Sequence, residues 1–111
     1  MNVDNVVMEL IVKSGEAKSQ ALEAMAHARR GDYDNAEKSI THSREAGRLA
    51  HKIQTALIAA DDGEGKVPVN LLLVHAQDHL MNSMLAQDMV EEMIRLYQRL
   101  DNKTTSSFST D

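Results

Sequence analysis

The stretch that decides the fold begins at Leu71 and reads LLLVHAQDHLMNSMLAQDMVEEMIRLYQRLD, ending at Asp101. Its apolar residues recur at steps of three and four, which is the spacing of one face of an α-helix. This seam consists of Leu71, Val74, Met81, Leu85, Met89, Met93, Leu96 and Leu100. Asn70 can cap the start of the helix, and Pro68 lies in the extended lead-in before it. The spacing therefore predicts a long helix over 71–101.

Toward the N-terminus, two loop signals separate two further helical segments from this one. The turn over 29–32 contains a glycine suited to a helix end, and the loop over 61–66 holds two glycines and a cluster of charges. The segments 3–30 and 33–60 both carry apolar residues at helical spacing, interrupted only around Gly15. Short connections make neighbouring helices antiparallel. The sequence therefore predicts an all-α fold, an antiparallel three-helix bundle.

Bulk composition supports this fold class and excludes several functions. The chain has 111 residues, enough for one domain, and its aromatic content is 3% with no tryptophan. Its core must therefore be built from aliphatic residues and methionine, which pack well along helices. Cysteine is absent, which excludes disulfide scaffolds and thiol catalysis. The formal net charge of −5 disfavours nucleic acid as a partner.

The two ends of the chain carry different signals. Residues 1–9 lack the basic start and long apolar run of a signal peptide, and no apolar stretch is long enough to span a membrane. We therefore expect a cytoplasmic protein. Residues 102–111 are polar and rich in serine and threonine, which is typical of a disordered tail. We predict one domain over 1–101, followed by a disordered tail over 102–111.

One turn of the third segment breaks its apolar pattern. Asp78 falls in the seam between Val74 and Met81, where an apolar residue is expected. A carboxylate there is costly unless it is paired, protonated or bound to a cation. Either the seam drifts and Asp78 is solvated at its edge, or Asp78 is a buried functional acid where helices or subunits meet. His75 and His79 are four residues apart, so they lie on one face of the helix.

Two chemistries fit this turn. Imidazoles four residues apart can bind a transition metal together with Asp78, although the turn lacks the glutamate of the zinc-protease motif. Alternatively, imidazole offers a neutral, nucleophilic nitrogen at cellular pH, which can accept a phosphoryl group and pass it on because the P–N bond is labile. His75 follows a helix N-terminus, which favours phosphate. The other histidines are interpreted as surface or packing residues: His27, His42 and His51.

The turn and its flanks, residues 73–81, read LVHAQDHLM. This string resembles the active-site segment of the IIA proteins of the lactose, cellobiose and diacetylchitobiose class of the phosphoenolpyruvate-dependent sugar phosphotransferase system (PTS). Other segments resemble family features in the same order: 7–11, 14–17, 30–33 and 63–66. The resemblance covers about 3–101, and the diacetylchitobiose branch is the one that the chain resembles most.

The resemblance implies a phosphoryl carrier in the uptake of a β-linked disaccharide. The family's phosphorylated histidine corresponds to His75, and Gln77 and His79 would contact the phosphoryl group or orient the site. Phospho-HPr would be the donor, and a cysteine of the cognate IIB protein or domain the acceptor. The IIC membrane permease would take part only indirectly. The chain would be a phosphotransferase-system component and not a stand-alone catalyst.

The resemblance also implies an assembly and a cofactor. Three subunits would form a nine-helix homotrimer, in agreement with the thin core of so short a chain. Asp78 would meet its symmetry mates at the trimer axis and bind one divalent cation, Mg²⁺, per trimer. Two alternatives stay open. One is a metal-binding helical bundle that uses His75, Asp78 and His79, and the other is a helical adaptor without chemistry.

Overall fold

The computed structural model describes residues 2–109, with their side chains through residue 102, and this part of the chain contains three helices and no strand. Helix α1 spans Val3–Arg29, α2 spans Tyr33–Asp61 and α3 spans Leu71–Ser109. Helix α1 packs along both of the others, whereas α2 and α3 meet less extensively. None of the three helices, as far as they are described, is long and apolar enough to cross a membrane. The predicted all-α three-helix fold is confirmed.

Side-chain caps set the starts of α2 and α3. Asn70 Oδ1 accepts a hydrogen bond from the Leu73 backbone N–H at 2.9 Å, and Asp32 Oδ1 accepts one from Asn35 N–H at 3.3 Å. Each cap pairs a backbone donor that the first helical turn would leave without a partner. Gly31 has a φ of +80°, a left-handed conformation that glycine adopts without steric cost, so it ends α1. The two turns therefore act as the sequence predicts.

The C-terminal boundary of α3 differs from the prediction. The helix continues through Ser109, past the expected domain end at residue 101 and into the expected disordered tail over 102–111. Residues 102–109 contain no proline or glycine, so no residue in this segment breaks the ladder of backbone hydrogen bonds. Residues 110–111 of the expected tail lie outside the described residues.

The interior consists of two apolar clusters separated by a layer of serines. The site-end cluster, beside the start of α3, contains Val7, Leu10, Ala50, Leu57, Val67, Leu73, Ala76 and Leu80. The distal cluster contains Ala21, Ala24, Ala28, Ala36, Ile40, Val90 and Ile94. Ser14, Ser43 and Ser83 are buried between them, one from each helix. Ser43 donates to the Ala17 carbonyl at 2.6 Å and Ser83 to the Leu80 carbonyl at 2.8 Å, whereas the Ser14 hydroxyl has no partner among the described residues.

Helix α3 is apolar on two faces. Its buried face packs against α1 and α2 and consists of Leu73, Ala76, Leu80, Ser83, Val90 and Ile94. The predicted seam lies on the other side, and in a single chain its exposure ranges from 38% at Met93 to 85% at Leu71. We call this side the outward face; it consists of Leu71, Val74, Asp78, Met81, Leu85, Met89, Met93, Leu96 and Leu100. The seam predicted from the spacing is therefore the surface that the single chain leaves uncovered.

Polar pairs join the helices at the surface. The Tyr33 hydroxyl donates a hydrogen bond to Asp101, which fastens the start of α2 to the distal part of α3. This hydrogen bond raises the pKa of Tyr33 to about 12. On the other side of the bundle, His42 Nε2 lies 2.7 Å from Glu16 Oε1 and joins α2 to α1.

Candidate functional site

His75 lies one turn inside the start of α3. The first helical hydrogen bond runs from Val74 N–H to the Asn70 carbonyl at 3.0 Å. The His75 side chain is exposed and lines an open depression together with Leu71 and Leu72. The unpaired N–H groups and the dipole of the first turn favour negative charge near this position. An accessible imidazole with an apolar rim is therefore available for group transfer.

His79 supports the His75 ring from the next turn. The two ring centroids are 5.3 Å apart and the ring planes meet at 83°, which is an edge-to-face contact. The His79 ring lies beside Gly15 of α1, where a Cβ would be 3.9 Å from His79 Cε1, an ordinary van der Waals distance. His79 is half-buried, and these contacts restrict its rotamers. The structure thus places the two imidazoles together, as their four-residue spacing predicts.

Gln77 lies on the other flank of α3. Its carboxamide oxygen accepts a hydrogen bond from Gln54 of α2. Residues two apart on a helix do not face each other, so a single chain does not bring Gln77 to His75. Sequence reasoning missed Gln54, because nothing in the spacing of α2 distinguishes it from other surface residues.

Asp78 lies on the outward face of α3. Its Oδ2 accepts a hydrogen bond from Asn82 Nδ2 at 3.2 Å, and the side chain is exposed in the single chain. Across the described residues, no three histidine, cysteine, aspartate or glutamate side chains are grouped to hold a metal ion. The alternative of a metal site formed by His75, Asp78 and His79 within one chain is therefore not supported.

Fold and site together define a class of protein. A three-helix bundle presents an exposed imidazole near the start of its third helix, in edge-to-face contact with a second imidazole. An imidazole in this position can take up a group from one macromolecule and release it to another. These are the features of a helical carrier protein.

Sequence comparison identifies the family of carriers. The family described as "PTS system, Lactose/Cellobiose specific IIA subunit" matches residues 5–98. The N,N'-diacetylchitobiose-specific EIIA component of Escherichia coli strain K12 is 49% identical over 98 residues, which cover 88% of this chain and 84% of that protein. The chain belongs to the lactose/cellobiose-specific IIA family of the PTS.

Solved structures agree with this assignment. The PTS cellobiose-specific enzyme IIA from Bacillus anthracis superposes with a TM-score of 0.88 at 36% identity, covering 93% of this chain and 94% of that one. IIA(chitobiose), from the solution structure of its complex with HPr in the E. coli PTS, gives a TM-score of 0.79 at 46% identity, covering 91% and 98%. The predicted family is confirmed, and the chain is a component of the phosphotransferase system.

Proposed function

We propose that this protein accepts a phosphoryl group from phospho-HPr on His75 and passes it to a cysteine of a cognate IIB protein or domain in the cytoplasm. The relay serves the uptake of a β-linked disaccharide of the chitobiose, cellobiose or lactose class, with the IIC permease acting downstream of IIB. The observation that carries the proposal is the exposed His75 imidazole at the start of α3 in a member of the PTS IIA family. The solved complex of the related IIA(chitobiose) with HPr supports the choice of donor.

Each transfer is an in-line displacement at phosphorus. A neutral ring nitrogen of His75, Nε2, attacks the phosphorus, and the bond to the HPr imidazole breaks with its electron pair remaining on that imidazole. In the second step a IIB thiolate attacks, an S–P bond forms, and the P–N bond returns its electron pair to His75. His79 maintains the direction of the attacking nitrogen through the ring contact.

The outward face of α3 supports a homotrimer of nine helices. This apolar stripe is uncovered in the single chain, and a small domain with a thin core gains from burying such a surface. In a threefold assembly through this face, three Asp78 carboxylates would meet near the axis and repel one another unless they are neutralised. One Mg²⁺ per trimer suits them, because hard cations prefer carboxylate oxygens.

Such a trimer would also give Gln77 a role at the site. His79 lies on the α1 side of α3 with His75 beside it, whereas Gln77 lies on the α2 side against Gln54. Rotation about a threefold axis places the α1 side of one subunit next to the α2 side of its neighbour. Gln77 would then contact the phosphoryl group on the neighbouring subunit's copy of His75.

Intact-protein mass spectrometry tests the phosphoryl assignment. After incubation with phosphoenolpyruvate, Enzyme I and HPr, the wild-type chain should gain a single acid-labile phosphoryl group. His75→Gln should gain none, and the matched control His79→Gln should still be phosphorylated, at a lower rate. A modified His75→Gln chain would contradict the proposal, as would an unmodified wild type beside phosphorylated HPr.

Thermal melting with and without Mg²⁺ tests the cation separately. Mg²⁺ at constant ionic strength should raise the Tm of the wild-type protein. Asp78→Asn should melt at a higher temperature than the metal-free wild type, because the repelling charges are gone, and should not respond to Mg²⁺. If Mg²⁺ does not change the Tm of the wild-type protein, the proposed cation site is wrong, whereas the proposed carrier function is unaffected.

A further inference from the structure

Gln54 of α2 and Gln77 of α3 form a pair of carboxamides that joins the two helices. Gln54 Nε2 donates a hydrogen bond to Gln77 Oε1, and both side chains are half-buried. A carboxamide donates at its nitrogen and accepts at its oxygen, so it can face a neighbour in either of two orientations. Because the bond from Gln54 occupies the oxygen of Gln77, the NH₂ group of Gln77 is the end that stays available to another partner.

No other described side chain forms a hydrogen bond with the Gln77 amide. Buried apolar side chains lie one turn away on each helix, Leu57 after Gln54 and Leu73 before Gln77, and they can neither donate nor accept. Asp61 lines the same small cleft as Gln77, but its carboxylate accepts a backbone N–H of its own loop at 2.9 Å. In such partly apolar surroundings water competes less for a hydrogen bond, which strengthens it. The orientation of the Gln77 amide therefore depends on Gln54.

The orientation of this amide matters because the oxygens of a phosphoryl group only accept hydrogen bonds. In the proposed trimer, Gln77 contacts the phosphoryl group on the neighbouring subunit's copy of His75. Its NH₂ group would stabilise the negative charge on those oxygens, whereas its own oxygen would repel them. With that oxygen already bonded to Gln54, the donor end is in place before the phosphoryl group arrives, and the amide does not have to turn during the transfer.

We infer that Gln54 is a positioning residue for phosphoryl transfer, which holds the Gln77 carboxamide with its NH₂ group toward the phosphoryl group of the neighbouring subunit. This inference rests on the proposed function, and it adds a residue of α2 to a site otherwise built from α3. Gln54 acts through Gln77 and does not touch the reacting atoms. Its effect should therefore fall on the transfer step, which kcat reports, and not on the binding of the donor, which KM reports.

Two substitutions of Gln54 distinguish positioning from a bond that only joins two helices. Gln54→Glu keeps a hydrogen bond to Gln77 but offers acceptors alone, so the Gln77 amide must turn and present its oxygen to the phosphoryl group. Gln54→Leu removes the bond and leaves both orientations open. With phospho-HPr as donor, kcat should fall about tenfold in Gln54→Glu and about twofold in Gln54→Leu, at unchanged KM. The opposite order would overturn the inference, since only Gln54→Leu loses the bond between the helices.

A double-mutant cycle controls for the negative charge that Gln54→Glu adds. Gln77→Leu should itself lower kcat, and adding Gln54→Glu to it should change kcat by less than about twofold, because no amide remains to turn. An equal loss of kcat from Gln54→Glu in both backgrounds would assign the effect to charge and overturn the inference. A wild-type kcat in Gln77→Leu alone would overturn it as well.

The side-chain amide resonances of Gln77 give a readout that needs no kinetics. In ¹⁵N spectra of the wild-type protein, phosphorylation should shift the Gln77 NH₂ signals. In Gln54→Glu the same signals should not respond, because the carboxylate holds the NH₂ group. Wild-type Gln77 signals that phosphorylation leaves in place would overturn the inference. If the wild-type chain accepts no phosphoryl group at all, the proposed function itself fails, and this result is seen before any variant is made.

Discussion

The two faces of α3 both carry apolar side chains, but only one of them packs within the subunit. The buried face places Leu73, Ala76 and Leu80 against α1 and α2 and so makes the subunit. The outward face carries leucine, valine and methionine along the same helix and leaves them exposed. Asp78 lies on the outward face, and His75 and Gln77 flank it. The comparison teaches that the residues proposed to carry the chemistry lie on and beside the face that packs against nothing within the subunit.

A charge on the outward face should give the largest effect. Met89→Glu places a carboxylate where the proposed trimer buries methionine, and an unpaired buried charge costs several kcal/mol. Light scattering should then show the monomer mass of 12.3 kDa while the helix content is unchanged. Ser19→Glu, which adds the same charge to an exposed position of α1, should leave the native mass alone. An intact assembly in the Met89→Glu protein would mean that the outward face is not the interface.

A matched pair of leucine truncations separates the two faces by stability. Leu80→Ala removes a fully buried side chain and should lower the free energy of unfolding by about 2–5 kcal/mol. Leu85→Ala acts on the outward face and should cost the dissociated subunit much less than Leu80→Ala. Urea unfolding at a range of protein concentrations measures both. Equal costs at every concentration would contradict the division between a buried and an outward face.

Substitutions in the buried serine layer should change the free energy of unfolding by less, and one of them should raise it. Ser14→Ala removes a buried hydroxyl that has no partner in the described part of the chain, and it should stabilise the protein by about 1 kcal/mol. Ser43→Ala removes a hydroxyl that bonds the Ala17 carbonyl and should destabilise it by a similar amount, about 1 kcal/mol. The Tm of Ser14→Ala should therefore rise and that of Ser43→Ala should fall. If both Tm values shift in the same direction, these serines act through packing alone and not through hydrogen bonding.

The smallest effect on stability is expected for the Glu16–His42 pair, which joins α1 to α2 and lies on neither face of α3. The hydrogen bond from His42 lowers the pKa of Glu16 below its ordinary value, with Lys13 adding to the effect. A lowered pKa in the folded state stabilises the protein above the unfolded-state pKa of 4.5, and this stabilisation is lost as the pH falls through the folded-state pKa. Glu16→Gln should flatten that part of the acid unfolding curve. Glu9→Gln, on the same helix, should not.

The helix boundaries at the two turns could be predicted from the sequence because they depend on local interactions alone. Asn70, Asp32 and Gly31 cap helices through their own side chains or backbone conformation, and each acts where the sequence places it. Which apolar face of α3 is buried within the subunit could not be predicted. Both faces have helical spacing, and only packing against α1 and α2 determines which one is buried. The helical path of 102–109 also escaped prediction, because weak helix formers can extend a helix that is already nucleated.

The candidate site also has one part that the sequence predicts and one part that it does not. The pairing of His75 with His79 follows from their four-residue spacing. The assignment of Gln77 to the same site came from family resemblance, and helix geometry places it on the other flank, against Gln54. A single chain contains no information about what a neighbouring subunit contributes, so the roles of Gln77 and Asp78 at an assembled site stay predictions.

The phosphorylated nitrogen itself is the most direct test of the central claim. Imidazole nitrogen spectra of the ¹⁵N-histidine-labelled protein, taken after phosphorylation by HPr, can distinguish all five histidines. We predict phosphorus–nitrogen coupling at His75 Nε2 alone, present in His79→Gln and absent from His75→Gln. Coupling at another histidine, or none while HPr is phosphorylated, would contradict the assignment of His75 as the carrier.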